Sequence, residues 1–363
     1  MTPPLVTVIY NQPVLPTDHP DAASEHDVIE TAESIESILR KEGFRTSLVS
    51  FSDDPQKLIN HLQEIKPDVV FNLFEGLATR SETEVSVASF LEWINIPYTG
   101  SPAHAISLGR DKIRTKYLLE GAGLPTPRFI TIEDEQIPEW QYSWPAIVKP
   151  AFQDSSVGIE QASVVQSQKE LENRVAVIQE RYGLAVLIEE FIHGREFHVN
   201  LIEDPRQKKQ GPTMIPLSEI CFEYQADDHF WPIYSFDAKW NVETAEYLGT
   251  PLKTPVELKA SWIRRIEQIA LKTFKLIGLR DYGRLDVRVT EDGKPYILEV
   301  NPNPYINSIA LLRGLVEMGR THEQMVSGIV WNTLARSGKV SFPHSTRKSK
   351  RSKLVNPSPQ PLN

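Results

Sequence analysis

Near the C-terminal end, residues 283–301 read GRLDVRVTEDGKPYILEVN, in which two alternating runs flank Asp292-Gly293. That dipeptide suits a two-residue type I′ hairpin turn. With Glu291 paired to Lys294, counting outward sets Asp286 opposite Glu299 and Arg284 opposite Asn301, all on one face. Leu285, Val287, Val289, Leu298 and Val300 then point the other way, toward a core. Like charges directly opposite on neighbouring strands repel, so the facing carboxylates call for a compensating cation or a protonated partner. Magnesium suits them, because it is a hard ion that takes one or two carboxylates together with phosphate oxygens, and Asn301 adds a neutral amide oxygen. The structural alternative is a solvated sheet face on which Arg284 and Arg288 neutralise the acids by ion pairing.

Other residues suit phosphate and nucleoside chemistry. Lys149 ends the apolar run WPAIVKP, and the loop after it carries Ser155, Ser156 and Gly158. Loop hydroxyls and backbone N–H groups can wrap phosphates while a lysine supplies positive charge, although a strand-end lysine with a small-residue turn is also an ordinary structural feature. LIEEFIHGREF places Glu189 and Glu190 at a strand end and Glu196 just beyond Gly194. Such acids accept hydrogen bonds from amino or hydroxyl groups, or form a strand-end ion pair with Arg195. Lys239 and Trp240 fall in a long polar stretch from Glu223 to Pro255, and loops of that length in compact domains often cover active sites.

The elements that must hold these groups follow from hydrophobic periodicity. LVTVIY, FRTSLVSF and DVVFNLF read as strands separated by helical segments, the alternation of a parallel sheet. In the first helical segment Ile29, Ala32, Ile35, Ile38 and Leu39 recur at helical spacing, with Ser24 placed to cap its start and Gly43 its end. The reading is an α/β lobe over 1–110, an α+β lobe over 111–195, a third lobe over 196–340 and a disordered basic tail over 341–363. No G-x-G-x-x-G follows the first strand and no G-x-x-x-x-G-K-[ST] occurs, so neither dinucleotide fingerprint nor P-loop is supported.

Composition narrows the class further. At 363 residues the chain is long enough for more than one core. No apolar run is long enough to span a bilayer and the N-terminus lacks the pattern of a secretory signal, which points to the cytoplasm. A lone cysteine, Cys221, supports neither an internal disulfide nor a zinc site of its own. The formal net charge of -9 argues against nonspecific nucleic-acid binding by the body of the chain.

In order along the chain, GRDKIRTKYLL, IVKPAFQDSSVGI, IEEFIHGREF, FDAKW, GRLDVRV and ILEVNPNP, followed by Ser308, resemble the D-alanine–D-alanine ligase branch of the ATP-grasp superfamily. The likeness runs from about Ser101 to Leu312. It implies a three-lobed ATP-grasp fold, mixed α/β and α+β, with an N-terminal parallel-sheet lobe. It also implies a carboxylate–amine ligase that phosphorylates its acid with ATP and magnesium, with manganese as an alternative ion. By the same resemblance Lys112 and Lys149 lie near phosphates, Glu189 and Ile192 beside adenine, and Glu196 at the ribose. Ser155, Ser156 and Gly158 cover the phosphates, and Lys239 reaches the terminal one. Asp286, Glu299 and Asn301 match metal ligands, Arg284 the arginine that steadies the acyl phosphate, and Glu25 and Ser308 substrate contacts. Small-molecule acid and amine substrates, no membrane, no specific nucleic acid and a homodimer through the first lobe complete what it implies. An ATP-binding regulatory or scaffold protein without turnover is the competing reading. Asp154, Glu75-Gly76, LATRSETEVSV and PNPYINS depart from the family pattern, and they fall where the family binds its amino acids.

Overall fold

The computed structural model describes residues 2–15, 22–52, 54–77, 80–134, 136–204, 211–224 and 229–340; the basic tail over 341–363 lies outside them, as do the side chains of residues 22–25. Strands β1 (Leu5–Asn11), β2 (Arg45–Phe51) and β3 (Val69–Leu73) form a parallel sheet in the order β2-β1-β3. Helices α1 (Ala22–Lys41), α2 (Pro55–Ile65) and α3 (Thr83–Trp93) alternate with them, and α4 (Ala103–Arg110) and α5 (Lys112–Gly121) follow. Because α1 begins at Ala22, Ser24 is inside its first turn rather than at the cap expected of it. Gly43 does end the helix, with φ +87° just past the last turn.

A four-stranded antiparallel sheet comes next, from β4 (Phe129–Ile132), β5 (Ala146–Pro150), β6 (Val164–Val165) and β7 (Val186–Glu190), in the order β4-β7-β5-β6. Leu171, Val175 and Ile178 of α6 (Gln168–Tyr182) pack against Ala146, Val148, Val186 and Ile188 on one side of it. The third sheet contains β8 (Arg195–Ile202), β9 (Thr213–Met214) and β10 (Ser218–Ile220). The stretch from Glu223 to Pro255, expected as a loop, carries the short helices α7 (Phe236–Trp240) and α8 (Ala245–Leu248) and the strand β11 (Leu252–Lys253). Beyond it, helix α9 (Ala260–Ile277) backs the pair β12 (Tyr282–Val289) and β13 (Pro295–Asn301), giving a sheet ordered β11-β10-β8-β12-β13, with β9 on β8. Helices α10 (Ile309–Glu317) and α11 (His322–Arg336) close the described chain.

Those last two helices bridge the third sheet and the first: the Ser218 hydroxyl of β10 donates to the Ala310 carbonyl at 3.1 Å. Leu311, Leu315, Met325, Val326, Ile329 and Val330 join Val6, Val8, Phe71 and the apolar stripe of α1 in one core, so α10 and α11 pack against the first lobe. Asp281, fully buried, receives Arg336 at 2.8 Å and the backbone N–H of Gly100 at 2.9 Å, fastening the first lobe to the edge of β12. Among the described residues no helix is long and apolar enough to cross a membrane.

The hairpin of β12 and β13 places Asp286 opposite Glu299 and Arg284 opposite Asn301. It reaches that register by a different route from the one expected. Thr290, not Glu291, closes the turn on Lys294: its N–H donates to the Lys294 carbonyl at 3.1 Å, leaving a three-residue loop with Gly293 at φ +82°. That change alone would shift every pair by one residue. A bulge between Asp286 and Val287 restores the count, because Val287 pairs with Ile297 and leaves Leu298 as the extra residue. Leu298 therefore faces the cleft instead of the core, and Ile297 takes the core position beside Leu285 and Val287.

Gly293 offers a test of this turn. A Cβ there would lie 2.1 Å from the Trp262 ring, on a backbone with φ +82°. Gly293→Ala is expected to cost more than about 1 kcal/mol in denaturant unfolding; an unchanged midpoint would contradict the turn geometry.

Candidate active site

The cleft between the second and third sheets is lined by side chains from both. From the expected set it brings together Lys112, Lys149, Ser156, Glu189, Ile192, Glu196, Asp286 and Glu299. Alternation along antiparallel strands explains why. On β8, Glu196, His198 and Asn200 share one face, opposite Arg288, Asp286 and Arg284 of β12. Phe197, Val199, Leu285 and Val287 take the opposite face and pack on α9, so the polar rows are aimed at the cleft.

At the far end of the cleft the acids already have partners. Arg284 donates to Asp286 through both arms of its fork, Nε to Oδ1 at 2.7 Å and Nη2 to Oδ2 at 3.0 Å. Asn301 Nδ2 donates to Asp286 Oδ2 at 3.3 Å. Burial works against the Asp286 carboxylate, yet Arg284, with His198 and Lys239, holds it below the ordinary aspartate value. Lys112 stands 3.1 Å from Glu299 and also donates to the Gln153 carbonyl. Arg284 thus neutralises a hairpin acid as the structural alternative foresaw, but Arg288 pairs with neither Asp286 nor Glu299: it donates to Glu196 at 2.9 Å and to the Ile192 carbonyl at 2.9 Å. That fork orients two of the three groups expected at the nucleoside, Glu196 and Ile192.

Lys149 and Lys116 converge on one carboxylate, Glu189, which is 1% exposed. Lys149 Nζ lies 2.6 Å from Oε2 and Lys116 pairs with Oε1. Burial opposes ionisation of Glu189, and the two ammonium groups outweigh it, so its carboxyl titrates below the ordinary glutamate value.

The serine loop and the stretch containing Lys239 form one cover. Ser155 and Ser156 have φ of +52° and +64°, a strained conformation for non-glycine residues. Ser156 Oγ donates to the Tyr234 carbonyl at 2.9 Å, and Trp240 Nε1 donates to the Ser155 carbonyl at 3.0 Å. Lys239 sits in α7 rather than in irregular chain; desolvation and the nearby Arg284 lower its pKa, while Asp286, Asp154 and Glu299 oppose that. Gly158 is not in the cleft wall. Its carbonyl accepts from Arg174 at 2.9 Å, and a Cβ there would be 2.9 Å from both Pro150 and Tyr182, so it shapes the loop from behind.

Ser308 caps α10, accepting from the Leu311 N–H at 3.3 Å. Glu25 lies in the first turns of α1, and its side chain is outside the described residues. Sequence reasoning missed Lys116, His198 and Asn200, and it named Arg288 only as a partner for the hairpin acids. It also missed the Arg110 guanidinium, which bridges Glu84 at 3.0 Å and Asp154 at 2.9 Å. Burial raises the Glu84 carboxyl to about 7 despite Arg110. Only the spacing of 196, 198 and 200 along one strand could have signalled the β8 pair.

Among the described residues no group of three or more His, Cys, Asp or Glu side chains is placed to hold a metal. Two carboxylates and an amide nevertheless fit magnesium, which keeps waters and takes phosphate oxygens in its remaining positions. For that, Asp286 and Glu299 must turn from Arg284 and Lys112 toward the ion.

A family model described as the D-ala D-ala ligase C-terminus matches residues 118–331. The D-alanine–D-alanine ligase of Alcanivorax borkumensis is 30% identical over 312 residues, 85% of this chain and 89% of its own length. That of Aquifex aeolicus is 30% identical over 314 residues, 85% and 96% of the two chains. The fold of a Bacillus anthracis D-alanine–D-alanine ligase, solved in complex with ATP, superposes with a TM-score of 0.73 at 20% identity, covering 93% of this chain and 99% of that one. The chain belongs to the D-alanine–D-alanine ligase family of ATP-dependent, amide-forming ATP-grasp ligases.

Proposed function

We propose that this chain joins a small-molecule carboxylic acid to an amine through an acyl phosphate, using MgATP bound between the second and third sheets. The observation that carries this reading is the polar rows of β8, β12 and β13, which set Arg284, Asp286, Glu299 and Asn301 facing a cleft that Lys112, Lys149 and Glu196 also enter. A carboxylate is a poor electrophile. Transfer of the terminal phosphate to its oxygen, with ADP leaving, supplies a leaving group; the amine then attacks the acyl carbon and phosphate departs with the former carboxylate oxygen.

In this reading Lys112 and Lys149 hold phosphates, with Ser155 and Ser156 above them. Glu196, fixed by Arg288, takes the ribose, while Ile192 and Glu189 lie beside adenine. Lys239 and Arg284 offset the negative charge that develops on the transferring phosphoryl group and on the tetrahedral intermediate. Asp286, Glu299 and Asn301 hold magnesium, or manganese in its place, which neutralises phosphate charge when bound. Glu25 and Ser308 border the substrates. Glu75, open to solvent at the end of β3, differs from the family pattern and belongs to the part of the site that selects the acid and amine. ATP use puts the reaction in the cytoplasm, and pairing of two copies through the first lobe extends the family reading to assembly.

Incubation with MgATP and a panel of acids and amines is expected to release ADP and phosphate in equal amounts with an amide product identified by mass. An acid labelled with ¹⁸O should pass one labelled oxygen to the released phosphate. Chelation of divalent ions should reduce release to background, and magnesium or manganese should restore it. No substrate-dependent release across a broad panel would overturn the ligase reading.

A further inference from the structure

One guanidinium beside the cleft has no place in the chemistry above. Arg110, the last residue of α4, donates through Nη1 to Glu84 of α3 at 3.0 Å and to Asp154 of the serine loop at 2.9 Å. Asn303 also hydrogen-bonds Glu84, and its Oδ1 accepts from the Ser101 N–H at 3.1 Å. Glu84, Asp154 and Asn303 come from separate stretches that depart from the family pattern, and this one arginine links them. The side chains of Arg110 and Glu84 are 12% and 10% exposed and that of Asp154 is 50% exposed, so the cation is fixed on the first lobe and reaches outward to the loop. Lys112 adds two ties on the same side, from its N–H to the Ala151 carbonyl at 3.3 Å and from its ammonium to the Gln153 carbonyl. On the opposite side Ser156 and Trp240 hold the loop, and the Phe236 N–H donates to the Ile159 carbonyl at 2.9 Å. Ser155 and Ser156, at positive φ, lie between the two sets of ties. A backbone in that region persists only where its surroundings hold it there.

We propose that Arg110 is a positioning residue that latches the serine loop closed over bound phosphates, so that closure depends on the segments around Glu84 and Asn303 as well as on the nucleotide. This rests on the reading of that loop as the phosphate cover. The tie from Arg110 to Asp154 is a charge pair with one half-exposed partner, so cutting it at Asp154 opens no cavity and leaves the folded body in place. A loop with one tie fewer opens more often, and nucleotide escapes faster past it. Glu84 acts on the loop only through Arg110: without its charge the guanidinium is held less firmly and the latch weakens.

The test follows a fluorescent, non-hydrolysable ATP analogue with magnesium on the full chain, by stopped-flow dissociation and by hydrogen exchange across residues 151–159. Dissociation should quicken about five- to ten-fold in Arg110→Ala and in Asp154→Ala, and no further in the double variant, because both remove the same tie. Arg110→Lys should recover part of the loss. Glu84→Gln should quicken dissociation about two-fold, since it trades a charged acceptor for a neutral one. Exchange in the loop should speed up in Asp154→Ala while its thermal midpoint stays that of wild type. Effects that add in the double variant, or an Asp154→Ala chain that matches wild type in both readouts, overturn the latch and leave the cover reading intact. Wild-type dissociation in Glu84→Gln overturns the dependence on the first lobe. Loop exchange that the analogue does not slow in the wild type overturns the cover reading and the latch together.

Discussion

With Arg284 replaced by alanine, amide formation is expected to fall by about 10²–10³-fold while the Mg-nucleotide complex still binds, the scale seen when one preorganised donor to developing negative charge is removed. The expectation comes from where the guanidinium sits. It is the closest cation to Asp286, gripping it through two parallel hydrogen bonds, and it lies on the row beyond the one that carries His198, Asp286 and Glu299. In the proposed reading, an ion held at Asp286 would take over its charge and leave the fork free on the cleft side of the strand. Ground-state nucleotide contacts would in that reading fall to Lys112, Lys149, Glu196 and Ile192, none of which hydrogen-bonds Arg284. Phosphate-release kinetics set beside calorimetric nucleotide binding separate the two effects. Arg284→Lys keeps the charge without the planar fork and should fall between wild type and alanine. Equal loss of turnover and of nucleotide affinity in Arg284→Ala would contradict the assigned role.

The hairpin that holds Arg284 shows how far residue patterns alone reach. Period-two alternation along β12 and β13 identified which side chains share a face, and Asp286 does oppose Glu299. The turn was misread, since Asp292-Gly293 also fits a three-residue loop, and a bulge at Leu298 compensates one residue for one. Bulges carry no local composition signal strong enough to count on. What such patterns did not reach is the partner of each charge. Arg288 meets Glu196 on the neighbouring strand across 92 positions of sequence, and Lys116 of α5 reaches Ile297 of β13 across 181, so only long-range strand pairing and helix packing decide these pairs. The same holds for Arg110, whose bridge to Glu84 and Asp154 joins the first lobe to the serine loop. Strand alternation and helix periodicity were legible because they are local. Pairings between lobes were not, because several arginines and acids were equally available to each other.

Lys116 and Glu189 carry the largest expected effect on stability. Lys116 is 1% exposed, yet its ammonium has a full set of acceptors: Glu189, Thr126 Oγ1 at 2.7 Å and the Ile297 carbonyl at 3.1 Å. Desolvation lowers its pKa to about 8 even with Glu189 beside it, so near neutral pH it remains the charged partner of that carboxylate. Glu189→Ala would leave this buried ammonium and Lys149 facing each other without their shared counter-charge. Breaking a buried pair in this way typically costs about 3–5 kcal/mol. A clear drop in the thermal midpoint is expected, accompanied by loss of nucleotide binding because Lys149 is no longer held at the cleft. The sign of the pH dependence follows from the depressed Glu189 value: its contribution is present in full above the ordinary glutamate pKa and is lost as pH falls through the lower, folded value. The gap between wild type and Glu189→Ala should therefore be widest near neutral pH and should narrow in acid below about pH 4.5. A gap that stayed constant through that range would mean that the carboxylate contributes packing rather than charge. Lys116→Met provides the complementary measurement: it removes the buried charge itself, so Glu189 keeps Lys149 as a partner and the loss of stability should be smaller than in Glu189→Ala.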